Sequence, residues 1–317
     1  MIVLLQVLLL AAGFLLLTKG ADFFVDGCAG IAEKLGVSQL VIGLTIVAMG
    51  TSAPELAVSV NAAFHKSSDI SIGNVVGSNI LNILIILGIT AVLTTVPIQE
   101  STVKFEMPFL IFITAVLIVI GGFGNDLSQL DGVILLALFV CYWIYLFRMA
   151  KKNPPPDQEI PDDKAKNIWL LLFFTVIGII MVLAGAEFTV DAAKKLARMA
   201  GLSERFISVT IVALGTSLPE LVTSVTAALK KNADLAIGNI VGSNVFNILF
   251  ILGLTSVITP IHYSEAFFID NIVAIFATMV LWVCSLSGRN LNRRNGVLFL
   301  GIYAVYFVFL LQRSAII

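Results

Sequence analysis

Apolar residues run along this chain in long blocks separated by short polar intervals. Ten blocks contain no Asp, Glu, Lys or Arg: residues 2–18, 35–54, 70–99, 107–125, 132–147, 167–186, 206–219, 235–264, 271–288 and 295–312. Most approach the ~20 apolar residues with which a helix crosses a hydrocarbon core about 30 Å thick. The pattern predicts an all-α membrane protein of ten transmembrane helices, with almost nothing outside the lipid.

The blocks repeat. Residues 42–88 align with residues 207–253 without a gap at an offset of 165, with 30 identities in 47 positions. Gly50-Thr51-Ser52 matches Gly215-Thr216-Ser217, and Pro54-Glu55-Leu56 matches Pro219-Glu220-Leu221. Downstream, Gly77-Ser78-Asn79 and Asn82 match Gly242-Ser243-Asn244 and Asn247. Gly20-Ala21-Asp22 likewise corresponds to Gly185-Ala186-Glu187. Two homologous halves of five helices, 1–150 and 168–317, are therefore expected, joined by a hydrophilic linker at 151–167 that holds Pro154-Pro155-Pro156. Five is odd, so the second half should enter the membrane from the opposite side, giving an inverted repeat.

Charge adds an orientation. With both termini outside, the inner loops carry twelve basic residues: Lys34, Lys104, Arg148, Lys151, Lys152, Lys164, Lys166, Lys230, Lys231, Arg289, Arg293 and Arg294. The outer side carries six, namely Lys66, Lys194, Lys195, Arg198, Arg205 and Arg313. The excess of inner positive charge favours a cell-membrane protein with N- and C-termini outside. The first block lacks a basic leader and an A-x-A cleavage site, and its continuation recurs in the repeat, so it is read as part of the fold.

Composition narrows the classes of function. Of 317 residues, 59% are hydrophobic and 12% charged, against about 25% charged in a soluble domain. A net charge of -1 offers nothing to nucleic acid. Cys28, Cys141 and Cys284 are far apart without metal-ligand spacing, and are read as buried, inert thiols. Neither His65 nor His262 has a nucleophile or metal motif beside it, so an enzyme is not expected.

The candidate chemistry is in the repeated motif. Glu55 is the only charged residue between Lys34 and Lys66, and Glu220 the only one between Arg205 and Lys230. A carboxylate at the centre of a membrane helix costs roughly 2.5–3.5 kcal/mol on insertion scales, so a matched pair points to function. Pro54 and Pro219 lack an N–H and free the carbonyls of Gly50 and Gly215 four residues earlier. Broken helices of this kind expose carbonyls that coordinate cations in transporters. Thr51 and Ser52 share a helix face with Glu55, as Thr216 and Ser217 do with Glu220; the competing role for these hydroxyls is bonding back to their own helix. In the next block Ser78 and Asn82, and equally Ser243 and Asn247, lie four apart on one face. Asn79 and Asn244 point elsewhere, and Asn74 and Asn239 follow a glycine near the entry; for all four a site role and interhelical hydrogen bonding compete on equal footing. The GNVVG and GNIVG segments (Gly73, Gly77, Gly238, Gly242) predict close helix packing. Asp22, Asp26, Glu187 and Asp191 are read as helix-end charges facing water. Carboxylates, hydroxyls and amide oxygens without His or Cys suit hard cations such as Ca²⁺ and Na⁺.

The doubled Gly-Thr-Ser-x-Pro-Glu motif, each copy followed by Gly-Asn-x-x-Gly-Ser-Asn, resembles the alpha repeats of the sodium/calcium exchangers within the calcium/cation antiporter superfamily. The resemblance covers the whole chain and is to the prokaryotic type, without a large regulatory loop. It implies antiport of Ca²⁺ against Na⁺ through four mid-membrane cation sites in a diamond, and no cofactor. Glu55 and Glu220 would be shared ligands, with Thr51, Ser52, Thr216 and Ser217 adding oxygens. Ser78, Ser243 and the carbonyls of Ala48 and Ala213 would complete the sodium sites. The first and sixth helices would slide against the other eight. Members often carry Asp where this chain has Asn82 and Asn247, which leaves two carboxylates in the site. The alternative within transport is a Ca²⁺/H⁺ or K⁺-dependent antiporter of the same superfamily; a passive channel is a third reading. Beyond these ions and the surrounding lipid, no partner protein is expected.

Overall fold

A computed structural model describes residues 2–65, 69–122, 126–152, 167–201, 211, 213–263 and 265–316. The linker expected at 151–167 lies outside these residues except at its ends, as does the start of the seventh block, 206–219. Lys66, Lys164, Lys166 and Arg205 of the charge count also lie outside them.

The apolar blocks fold as helices. Eight are long and apolar enough to cross a membrane. They are α1 (Ile2–Leu35), α4 (Ile70–Leu93), α5 (Thr102–Gly122), α6 (Gln129–Lys152), α7 (Ile168–Met199), α10 (Ala233–Ile258), α11 (Glu265–Leu286) and α12 (Arg293–Ile316). A further crossing is broken: α2 (Gln39–Thr51) and α3 (Ala53–Phe64) meet at a bend of 49°. Its repeat equivalent is α8 (Ala213–Thr216) followed by α9 (Leu218–Leu229). The result is an all-helical membrane protein.

The central helices are α4 and α10. Their apolar windows are 78% and 94% buried, whereas the other spans range from 17% to 39%. Ile80, Leu84 and Leu87 of α4 and Ile240, Val245 and Leu249 of α10 are fully buried in one core. The outer helices expose Phe, Leu and Val side chains, as lipid-facing surfaces require. Helix α2 crosses α10 at glycine: a Cβ on Gly43 would lie 2.9 Å from the Gly238 Cα, and one on Gly242 only 2.7 Å from the Leu44 Cα. The expected close packing thus holds for Gly238 and Gly242. For their counterparts Gly73 and Gly77, the residues equivalent to Leu40, Gly43 and Leu44 are 205, 208 and 209, which lie outside the described residues; among the described residues a Cβ on Gly73 would lie 3.5 Å from the Phe267 ring.

Helices α1 and α7 lie against each other outside this core, again on small residues. A Cβ on Gly178 would lie 2.4 Å from the Phe24 nitrogen, and one on Gly20 2.8 Å from the Val182 nitrogen. The two are 34 and 32 residues long, about 50 Å at 1.5 Å per residue, and overshoot a core of about 30 Å. Asp22, Asp26, Glu187 and Asp191 consequently fall inside helices, which corrects their reading as helix-end charges. The cysteine reading also changes: Cys28 is buried, but Cys284 is half-buried and Cys141 exposed on an outer helix.

Two short antiparallel strand pairs stitch the halves together. The pairs are β1 (Val96–Pro97) with β4 (Asn290–Leu291), and β2 (Asp126–Leu127) with β3 (Ile261–His262). Each pair takes one strand from each half, so neither half completes its own ribbon.

Candidate functional site

The site begins where two helices break. Ser52 (φ −81°, ψ 10°) separates α2 from α3, and Ser217 (φ −90°, ψ 6°) separates α8 from α9. Pro54 and Pro219 occupy the first turn of the following helix, where their missing N–H is not needed. Glu55 and Glu220 lie in the same first turns, at the positive ends of the helix dipoles. Both are 1% exposed.

The two breaks face each other across the molecule, and each carboxylate is held by the opposite half. Ser52 Oγ donates to Glu220 Oε1 at 2.9 Å. Its counterpart, Ser217 Oγ, lies 3.5 Å from Glu55 Oε1 and 3.4 Å from Ser78 Oγ. Ser78, on α4, adds a contact to Glu55 Oε1 at 3.3 Å. The Ser243 hydroxyl, on α10, is 3.4 Å from the Ala48 carbonyl. Thr51 Oγ1 lies 3.1 Å from the Val47 carbonyl of its own helix and 3.0 Å from Asn239 Oδ1. Thr216 is half-buried beside the second break, and Ala213 opens α8.

Four asparagines join α4 to α10 in a reciprocal pattern. Asn79 Nδ2 donates to the Asn244 carbonyl, and Asn244 Nδ2 to the Asn79 carbonyl, both at 3.2 Å. Asn82 Nδ2 donates to Asn244 Oδ1 at 2.9 Å, and Asn247 Nδ2 to Asn79 Oδ1 at 3.1 Å. Asn79 and Asn244 are therefore the joint between the halves, and they consume the N–H groups of Asn82 and Asn247. Both of the latter start π-helical turns (Asn82–Ile86 and Asn247–Leu252), a distortion frequent at functional sites. Asn74 Nδ2 bonds the Glu55 carbonyl at 3.2 Å, and Asn239 Nδ2 the Ser224 hydroxyl at 2.9 Å, so these two brace the broken helices.

What remains is a set of acceptors. Glu55 Oε2, Glu220 Oε2, Asn82 Oδ1 and Asn247 Oδ1 are buried and have no hydrogen-bond partner among the described residues. A buried polar atom without a partner costs about 1–3 kcal/mol, and here the cost recurs at two positions and at both of their repeat equivalents. Four unpaired oxygens, two of them on carboxylates, form an acceptor-only surface that a hard cation matches. Among the described residues no group of three or more His, Cys, Asp or Glu is placed to hold a metal ion, and the site's own acids are the two glutamates.

A cleft of about 640 Å³ runs from Lys194 past Glu187, Asp191 and Val190 to Pro54, Gly215 and Thr216 beside the site. Two further buried acids escape notice in the sequence. Glu106 on α5 accepts a 2.5 Å hydrogen bond from the Tyr145 hydroxyl on α6, and Asp270 on α11 accepts one of 3.1 Å from Tyr306 on α12. Each directly precedes a charge-free block, at 107 and 271, and so reads as a boundary residue. The signal that could find them is the tyrosine placed one helix later in both halves.

Comparison with known proteins agrees with this architecture. A family model described as sodium/calcium exchanger protein matches residues 5–148 and 170–312. The putative antiporter CaxA of Alkalimonas amylolytica is 39% identical over 90% of this chain and 91% of its own length. The sodium/calcium exchanger MaX1 of Methanosarcina acetivorans is 33% identical over 96% and 97%. A solved structure of the sodium-calcium exchanger NCX_Mj, soaked with 10 mM Na⁺ and zero Ca²⁺, superimposes with a TM-score of 0.84 at 34% identity, covering 96% of this chain and 99% of that one.

Proposed function

The chain belongs to the sodium/calcium exchanger family, and on that premise we propose that it is a secondary antiporter that exchanges Ca²⁺ for Na⁺ by alternating access. The observation that carries the reading is the set of four buried, unpartnered oxygens on Glu55, Glu220, Asn82 and Asn247. In this reading ten transmembrane helices form two inverted repeats, 1–150 and 168–317, about an axis between α4 and α10, with 151–167 as linker and both termini outside.

Glu55 and Glu220 are the shared ligands. Ser52, Ser217, Ser78, Ser243, Thr51 and Thr216 supply hydroxyl oxygens, Ala48 and Ala213 carbonyls, and Asn82 and Asn247 amide oxygens. Two carboxylates neutralise one Ca²⁺. Three Na⁺ in the same place leave one net positive charge, so exchange at three to one moves charge across the membrane. Ca²⁺ and Na⁺ compete because both need the same two Oε2 atoms. A low dielectric around the site strengthens each cation–carboxylate attraction, so sliding of α1 and α7 past the glutamates on α3 and α9 is favoured only when the site is loaded. Packing supports α1 and α7 as the sliding pair: they contact each other on glycine and lie outside the core built on α4 and α10.

The test is ⁴⁵Ca²⁺ uptake into proteoliposomes under imposed sodium, potassium or proton gradients. Uptake driven by an outward sodium gradient is expected. Uptake driven only by protons or potassium would replace Na⁺ as the coupling ion, and uptake without any gradient requirement would indicate a channel.

A further inference from the structure

The ion site lies between two faces of α1 and α7 that the sequence makes equivalent and the structure does not. On α1, Asp22 and Asp26 are bridged by Lys230, the residue that caps α9, the helix carrying Glu220. Lys230 Nζ is 2.8 Å from Asp26 Oδ1, 3.2 Å from Asp22 Oδ1 and 3.2 Å from the Asp22 carbonyl. Burial alone would lower the Lys230 pKa, but the hydrogen bonds to Asp26 and Asp22 outweigh it and raise it. Beneath the ion pairs, Phe24, Val25 and Cys28 pack with Ala227 and Ala228 in a buried apolar layer.

An offset of 165 carries Asp22, Asp26 and Lys230 to Glu187, Asp191 and His65. These equivalents are arranged otherwise. Asp191 pairs with Lys194 of its own helix at 3.6 Å, and the His65 ring lies 2.8 Å from the Asn61 carbonyl of α3. Val190 and Ala193, equivalents of the fully buried Val25 and Cys28, are only half-buried. The cleft that reaches Thr216 opens on this face. One face is tied and sealed; the other, among the described residues, has no such tie and is open.

We propose that Lys230, Asp22 and Asp26 are positioning residues that latch α9 to α1, holding the α1 face of the site closed while the α7 face is open. The proposal rests on the alternating-access reading. Sliding of α1 must break the latch, and because His65 stands where the other half has Lys230, no equal latch is found on the α7 face among the described residues. The latch therefore biases the resting protein toward the conformation with the cleft open.

A cysteine reporter tests this without relying on transport. In full-length protein with Cys28, Cys141 and Cys284 replaced by alanine, Ala57→Cys places one thiol in the cleft, and its rate of reaction with a membrane-impermeant maleimide reads cleft opening. Lys230→Met should slow labelling about 2- to 10-fold, the range that two half-exposed ion pairs can shift an equilibrium. Lys230→Arg should keep the rate, and the exchange of charges in Lys230→Asp with Asp26→Lys should restore it. If Lys230→Met fails to fold, Asp22→Asn with Asp26→Asn carries the same expectation. An unchanged or faster rate in the charge-removing variants, or no rescue by the exchange, overturns the latch. Calcium flux of the unmodified chain tests the transport reading separately.

Discussion

Ser52 in one half donates its hydroxyl proton to the Glu220 carboxylate of the other at 2.9 Å. The reciprocal contact, Ser217 to Glu55, is longer at 3.5 Å and shared with Ser78. Each carboxylate is therefore oriented by a residue about 165 positions away in sequence, and the site exists only when both broken helices are in place. The inequality of the two contacts also means that the two copies of the repeated motif are not equivalent at their own carboxylates.

Glu55→Gln or Glu220→Gln should abolish Ca²⁺ transport while leaving the protein folded. Either change leaves a single carboxylate against a divalent cation in a low-dielectric site. Calcium flux in proteoliposomes, with thermal unfolding as the control, checks this; native flux in either variant would remove both residues from the ligand set.

The unequal serine contacts predict unequal losses. A hydrogen bond to a charged group contributes about 1.5–3 kcal/mol, so Ser52→Ala should weaken apparent Ca²⁺ affinity by roughly 10-fold or more. Ser217→Ala should cost less than about 3-fold, because a 3.5 Å contact is at the edge of hydrogen bonding and Ser78 still reaches Glu55. Titration of flux against external Ca²⁺ in the two variants decides it, and equal losses would contradict the geometry.

Asn79→Ala should act on stability first. It removes the acceptor of Asn247 Nδ2 and the donor to the Asn244 carbonyl, leaving two buried groups unpaired at about 1–3 kcal/mol each. Thermal unfolding in detergent should show the loss, and Asn244→Ala should match it by symmetry. A variant as stable as the parent would mean that water satisfies both groups.

A pH effect is expected at the strand pair. Hydrogen bonding to Lys104, then the charges of Arg289 and Lys104, lower the Glu100 pKa below its ordinary value of 4.5. A depressed carboxylate pKa gives stabilisation that is complete above the ordinary value and is lost as pH falls through the lower, folded value. The difference in unfolding temperature between the parent and Glu100→Gln should therefore be constant above about pH 5.5 and vanish at strongly acidic pH. A difference that persists into acid would rule out the Lys104–Glu100–Arg289 contact as its source.

Much of this was legible in the sequence for a simple reason. Charge is so rare in the apolar blocks that Glu55 and Glu220 identify themselves, and the 165-residue offset pairs them without structural knowledge. The hydroxyls follow from helical spacing. What sequence could not supply is pairing over distance. Nothing local says that Asn79 answers Asn244 carbonyl for carbonyl, and so fixes which atom of Asn82 and Asn247 is left over. Lys230 finds Asp26 across 204 positions, and a charge next to a block boundary looks solvated until its partner is known. Glu106 was hidden in the same way, since Tyr145 belongs to the following helix.

The crossed strands bear on how the protein is made. Chains enter the membrane from the N-terminus, and domains tend to fold in the order in which they emerge. Here β1 must wait for residues 290 and 291, and the Asn79 amide for residue 244. A nascent first half is thus an open form, with strand edges and amide groups exposed to lipid or to the translocation machinery until the last helices arrive. Its maturation is set by the completion of synthesis. The two halves, produced as separate polypeptides in one membrane, should recover from this only by finding each other.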